Sequence, residues 1–312
     1  MNPLSDVTIS HPKAADIPAL QALWRESFAE DKEGDFVPWY FANRYNRPLA
    51  WVLKASGQPA AMAFAPLCSL NVGGRVLSVP YIQGVATAPQ YQLRGFCRLL
   101  LNRVFKDLAA AGYPCCVLKP FLAEFYQKFG FRFFAYLREY RLDFNNCFLL
   151  PPNGNFRTVH YLNPADAAAD TAAVYAQWLH GRHAYALRSA ADFRLLLEDH
   201  LADRGMLLMA YQGDFPAAYA LYTTTADGIF IRELAFANAS AAEELLRLLA
   251  HDYREDTPRC LLIMPDDARL CRLLPQTNAG WQILPFAMVK PLTAAGKECY
   301  NQLENAYFYE YF

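Results

Sequence analysis

The chain has 312 residues, of which 54% are hydrophobic, and a formal net charge of −1 at pH 7. That length exceeds one typical domain and suits two, with ample apolar material for a core in each. The near-neutral charge offers no broad basic field, which argues against nucleic acid and anionic membranes as partners, and every apolar stretch is shorter than the roughly 20 residues a transmembrane helix needs.

In chain order, a strand is expected at Val7–Ser10, then a helix over Ala14–Phe28 with Asp16 at its start. The acidic stretch AEDKEGD leads into the aromatic segment FVPWYFANRY. Trp51–Lys54 and Ala60–Asn71 read as strands parted by the turn pair Ser56-Gly57. Gly73-Gly74 turns the chain into Val76–Val79. The apolar run Tyr81–Thr87 ends at Pro89, a loop with a single glycine follows, and FCRLLLNRVFKDLAAAG forms an amphipathic helix. Residues 115–118 read as a buried strand, Ala123–Phe129 as a short helix stopped at Gly130, and Phe131–Phe144 as an aromatic strand.

Leu149–Phe156, rich in Pro, Gly and Asn, is the best linker. After it the plan repeats in fainter form. Val159–Tyr161 is expected as a strand, Ala165–Leu179 and Ser189–His200 as helices, and Leu207–Tyr211 with Ala217–Thr223 as a hairpin about Gly213-Asp214. A strand Ile229–Phe236, a helix Ala241–His251 and a strand Arg259–Met264 follow. The helix here opens NASAAEELL, with no glycine and no basic residue. Glu243 and Glu244 in its first turn suit the helix dipole and would repel a pyrophosphate.

The stretch QYQLRGFCR carries the chemistry of the first half. A strand feeding a loop that opens a helix makes an anion site, because the first N–H groups of the helix have no internal partner and carry the positive end of the macrodipole. Gly95 lets a backbone approach, and Arg94 and Arg98 add charge at the same end. Gln92-x-x-Gly95-x-Cys97 is neither the three-glycine dinucleotide fingerprint nor a P-loop. Together with Tyr126-x-x-x-Gly130-Phe131 downstream, it resembles the GNAT acetyltransferases, whose pyrophosphate loop reads Gln/Arg-x-x-Gly-x-Gly/Ala.

An intact loop followed by a degenerate second unit is similar to the enhanced-intracellular-survival (Eis) family within that superfamily, over residues 1 to about 292. The resemblance implies an α/β (α+β) fold class, with tandem GNAT folds, each a mixed, mostly antiparallel twisted sheet flanked by helices. It implies residues 1–148 as the domain binding acetyl-CoA, 149–156 as linker, 157–292 as the degenerate domain and 293–312 as an aromatic tail. The sterol-carrier-like domain usual in the family is not expected. Acetyl-CoA, the implied co-substrate, would lie against Val85, Ala86, Thr87, Gln92, Leu93, Arg94, Gly95, Phe96, Cys97 and Arg98, with Phe121 and Leu122 near its thiol end. Tyr126 is implied as general acid and the terminal carboxylate of Phe312 as general base.

A tyrosine with a pKa near 10 is neutral at pH 7 and can donate to a leaving thiolate. The alternative for Tyr126 is packing among Phe125, Phe129, Phe131 and Phe133. The tail, ending AYFYEYF, is too aromatic for a solvated segment and is expected to dock, whether at the active site, over apolar surface or on a partner subunit in a homo-oligomer. Trp24, Phe28, Trp39 and Tyr40 offer an aromatic wall for the acceptor, and Glu30, Asp31, Glu33 and Asp35 either attract its amine or form a solvated acidic face. The expected function is acetyl-CoA-dependent N-acetyl transfer to a primary amine, the alternative a non-catalytic acyl-CoA-binding sensor.

The eight cysteines include no C-x-x-C pair and read as buried reduced thiols. The N-terminus MNPLSDVTISHPKAAD lacks the pattern of a signal peptide, and both features point to the cytoplasm. His180 and His183 read as a helix-surface pair, with no metal expected.

Overall fold

The computed structural model describes residues 6–256, 258–265, 267–274 and 281–310. The chain forms two compact units. The first takes the chain to Phe134 and adds Ala287–Glu304, and the second takes Ala135–Phe286 and Asn305–Glu310.

The first unit begins with β1 (Val7–Ser10) and α1 (Ile17–Ser27). The helix expected from Ala14 starts later, because Ala14–Asp16 close a 3-10 turn in which Asp16 accepts from the Lys13 N–H and from Lys54. Next come α2 (Phe36–Asn43), β2 (Ala50–Ala55) and β3 (Gln58–Phe64). The single strand expected over Ala60–Asn71 is two, since Pro66 lacks an N–H and the chain leaves the ladder there. Hence β4 (Leu67–Val72) forms its own hairpin with β5 (Arg75–Pro80). Then follow β6 (Gln83–Thr87), α3 (Phe96–Ala110), β7 (Cys115–Leu118), α4 (Ala123–Gln127) and β8 (Arg132–Asp143). One sheet has the order β1-β2-β3-β6, antiparallel throughout. One face of it packs the α3 residues Leu100, Leu101 and Val104, and the other packs Leu20, Trp24 and Tyr40 of α1 and α2.

The second unit takes over within β8. It contains β9 (Arg157–Tyr161), α5 (Pro164–Trp178), β10 (Ala184–Leu187), α6 (Ala190–Ala202), β11 (Met206–Gln212), β12 (Phe215–Thr225), β13 (Gly228–Phe236), α7 (Ala239–Tyr253), β14 (Arg259–Pro265) and α8 (Ala268–Leu273). Its strands run β8-β14-β13-β12-β11-β9, with β13 and β14 parallel and every other pair antiparallel. Helix α7 is the crossover between the parallel pair. It starts at Ala239, capped by Asn238, so Glu243 and Glu244 lie in its second turn rather than its first. Glu243 pairs with Arg247, and Glu244 is buried and accepts the N–H groups of Asn153 and Gly154 in the Pro/Gly-rich segment.

Strand β15 (Trp281–Pro291) and α9 (Ala294–Gln302) complete the chain before its last turn. In the first unit, Met288–Pro291 of β15 pair antiparallel with β7. In the second, the tail docks as a short extension of β10, where Tyr307 N–H donates to Ala184 O at 2.9 Å and Ala186 N–H to Tyr307 O at 3.0 Å. Tyr307, Phe308, Tyr309 and Glu310 are buried. Arg188 clamps them, with Nε on Glu310 at 2.8 Å, Nη2 on Tyr309 O at 2.6 Å and Nη1 on Glu233 at 2.8 Å. Removing such an arginine leaves two buried carboxylates uncompensated, so Arg188→Ala is expected to destabilise the second unit by about 3–5 kcal/mol, read as a lower urea midpoint.

Candidate active site

Strand β6 is paired along only one edge. It meets β7 once, at the parallel bridge Tyr81↔Val117, where Ile82 N–H donates to Val117 O at 2.8 Å. Beyond Ile82 the two strands share no pairing among the described residues, and a strip of β6 backbone is left open. The strand also carries a bulge. Its register against β3 shifts between Met62↔Ala86 and Phe64↔Gln83, and Gly84 there has φ +57°. A Cβ on Gly84 would lie 2.5 Å from Phe64 Cδ2 and 2.8 Å from Trp24 Cζ3, so no other residue fits.

After β6 a 3-10 turn at Pro89–Tyr91 brings the chain to α3. Leu93 has φ +60° and is fully exposed, and Gly95 has φ +80°. Gly95 is the N-cap and has no side chain to satisfy the first N–H groups. A Cβ there would meet nothing within 4 Å, so within the protein the glycine answers the backbone angle, and the space above it is open. Gln92 Nε2 donates to Thr87 O at 3.2 Å and ties the loop back to the strand. Arg94 is exposed, with its guanidinium 5.7 Å from the Tyr91 ring, which stacks on Phe96. Arg98 is exposed and Phe96 buried. Val85 packs on the α3 face of the sheet and Ala86 on the opposite face.

Thr87 Oγ1 is buried without a hydrogen-bond partner among the described residues, as is Gln83 Oε1 on the same strand. The orphaned Thr87 hydroxyl, the uncapped helix start and the open strand edge fit a long ligand with an anionic end. Phe121 and Leu122 stand exposed where the chain enters α4.

Tyr126 is set by the end of α4. Phe129 N–H and Phe131 N–H both bond Tyr126 O, at 2.9 and 3.3 Å, around Gly130 with φ +88°. Lys290 Nζ caps the same turn through Phe129 O at 2.6 Å. The Tyr126 ring lies edge-on to Phe125 and Phe131, at 5.1 and 5.9 Å. Burial raises its phenol above the usual range, with a smaller push from the Cys97 thiol beside it. Burial likewise pushes the Cys97 thiol up to about 11. Both groups are therefore neutral at pH 7.

The aromatic residues Trp24 and Tyr40 are buried, with rings 4.7 Å apart, and Phe28 and Trp39 are half-buried. Trp24 Nε1 donates to Asp31 at 2.7 Å, which gives Asp31 a structural partner, while Glu30, Glu33 and Asp35 are exposed. Tyr40 reaches β6 through its hydroxyl, which accepts from Gln83 Nε2 at 2.6 Å. Gln83 was not singled out in the sequence; its only local signal is a polar residue in an apolar strand. Phe312 lies outside the described residues. Among the described residues, no three His, Cys, Asp or Glu side chains gather as a metal site requires, and no helix is long and apolar enough to cross a membrane.

The second unit repeats the strand–helix–strand layout but closes the gap. Its parallel pair β13–β14 is in register only over Ile229–Ile231. Further along, the Leu234 N–H is taken by Met264 Sδ at 3.0 Å, both residues fully buried.

Residues 8–134 match the family model of the acetyltransferase (GNAT) domain. No curated protein matches the chain. Among solved structures it is similar to a conserved protein of unknown function from Enterococcus faecalis V583, described as a probable N-acyltransferase. The TM-score is 0.76 at 16% identity, over 92% of this chain and 73% of that one. A GCN5-related N-acetyltransferase from Anabaena variabilis ATCC 29413 gives 0.76 at 16% identity, over 93% and 74%. Eis1 from Mycobacterium abscessus gives 0.66 at 17% identity, over 92% and 73%. At such identities the likeness carries the fold.

The bulge makes a direct check. Gly84→Ala forces a Cβ into two aromatic rings at a positive φ and is expected to cost about 2–4 kcal/mol in the first unit, measured by chemical unfolding.

Proposed function

We propose that the chain, whose residues 8–134 match the acetyltransferase (GNAT) domain, transfers acetyl from acetyl-CoA to the primary amine of a small cationic or peptide acceptor, by direct attack on the thioester, as an Eis-type enzyme of the cytoplasm. The observation that carries this reading is the open edge of β6 leading to the uncapped, glycine-started α3. Its eight free cysteines are consistent with a reducing compartment.

Bound there, acetyl-CoA supplies an acyl group whose C–S bond breaks as the amine forms an amide, leaving a thiolate that needs a proton. Gln92–Arg98 and Thr87 would hold the co-substrate, the N–H groups of α3 and Arg94 and Arg98 serving its phosphates. The exposed Leu93, Phe121 and Leu122 supply apolar contact. Tyr126 would donate to the departing sulfur. The terminal carboxylate of Phe312 would take the proton from the acceptor ammonium. Tyr307–Glu310, the residues before it, are buried in the second unit. The second unit, with Leu234 N–H already bonded by Met264, would bind no acetyl-CoA.

A thiol-release assay with acetyl-CoA against polyamines, aminoglycosides, amino acids and peptide amines tests the activity, and release no faster than hydrolysis would sink it. Calorimetry is expected to find one acetyl-CoA site per chain, abolished by Gly95→Glu; two sites would refute the silent second unit. Tyr126→Phe is expected to lower kcat by about 10²–10⁴ with acetyl-CoA affinity nearly intact. Equal losses of affinity and stability, with kcat kept in the folded fraction, would mark a packing residue. Extending the chain beyond Phe312, or deleting that residue, is expected to lower turnover strongly with the fold kept. A C-terminally tagged protein with full activity would remove the carboxylate from the mechanism.

A further inference from the structure

Gln83 opens β6 at the point where the strand has just left β7. Its amide nitrogen is fixed by the Tyr40 hydroxyl, and Tyr40 is wholly buried, packed at tilted and edge-on angles against Trp24, Phe41 and Phe64. Its oxygen Oε1 is shielded and has no partner among the described residues. A shielded amide oxygen without a donor is unfavourable, and native interiors rarely keep one unless something else supplies the N–H. Gln83 as a whole is half-buried, so a ligand N–H can approach the oxygen while Nε2 stays on the Tyr40 hydroxyl.

The direction of β6 says which ligand. The anion end of the site, at the start of α3, follows Thr87. Gln83 lies four residues upstream, about 13 Å back along the strand at ~3.3 Å per residue. A thioester held by its phosphates at α3 extends its reacting end back along β6, so Gln83 stands where the acceptor amine arrives. The helices that anchor Gln83 through Tyr40 are joined by the segment bearing the exposed Glu30, Glu33 and Asp35, which favours a cation there.

We infer that Gln83 is an acceptor-binding residue, its Oε1 receiving an N–H of the incoming primary amine and its Nε2 held by Tyr40. This rests on the reading that the first unit transfers acetyl to an amine. It gives the site a preference for amines that keep a free N–H beside the attacking lone pair, and makes Tyr40 the residue that positions Gln83.

The test uses the full chain with n-butylamine, spermidine and kanamycin as acceptors. Gln83→Leu is expected to raise the KM of each accepted amine about ten- to a hundredfold, with kcat changed less and the acetyl-CoA Kd, by calorimetry, unchanged. Gln83→Glu keeps an oxygen at the site, lets the Tyr40 O–H donate to it, and is expected to restore a low acceptor KM. A merely structural role would move both variants together, along with the Tm. An unchanged acceptor KM in Gln83→Leu would overturn the proposal. So would a loss of acetyl-CoA affinity without amine present, which would assign Oε1 to an amide of the co-substrate. Failure of the unaltered chain to acetylate any of the three amines would remove the underlying reading and the proposal with it.

Discussion

The first unit depends on one constraint: β6 must stay in the sheet through β3 alone while its other edge stays open. Backbone N–H and C=O groups inside a protein are almost always paired, so an unpaired strip is unfavourable unless a ligand completes it. The surroundings make the strip possible. Trp24 and Phe64 press on Gly84 from one side, leaving space only for a hydrogen, and the register against β3 shifts there. The second unit shows the same strand–helix–strand plan with the constraint removed. There a methionine sulfur takes the Leu234 N–H.

The chain end is held by different physics. Arg188 is buried between Glu233 and Glu310, with Tyr219 donating to Glu233. Desolvating these charges is costly, and their attraction returns that cost only when the geometry is well satisfied. Here the guanidinium uses Nε, Nη1 and Nη2 on three partners, including the Tyr309 carbonyl. Such a clamp specifies one register for the tail, which apolar packing of Tyr307 and Phe308 alone would leave free to slide. The same docking adds one parallel bridge beside β10, where the Tyr307 N–H donates to Ala184 O and its carbonyl accepts from the Ala186 N–H.

These cases mark what could be read in the sequence. β1, β7, α3 and α4 were legible because their signals are local: apolar periodicity, Pro89 before the loop, and Gly95 and Gly130 at helix ends. The break at Pro66 was missed, because the apolar run through it read as one strand. β10, α8 and α9 were missed, since their partners lie far along the chain or their patterns are short. The loop Gln92–Arg98 was singled out by its spacing. Gln83 was not, because the role proposed for it rests on Tyr40, 43 residues away, and on one atom that has no partner among the described residues. Arg188 likewise gave no sign of its clamp, whose partners lie 45 and 122 residues downstream.

Under the proposed mechanism, the surroundings of Tyr126 decide what kind of acid it is. Burial lifts its phenol above the ordinary range, well above an alkyl thiol near 8.5. Full proton transfer from such a phenol to a free thiolate would be uphill. Donation of a hydrogen bond is not, and it strengthens as charge develops on sulfur while the C–S bond stretches. Cys97 sits in the same environment and is kept as a neutral thiol by the same burial, up to about 11. A thiolate there would repel the departing sulfur and compete for the Tyr126 proton. The burial that raises the two groups together therefore removes a rival anion and keeps the donor protonated throughout the neutral range.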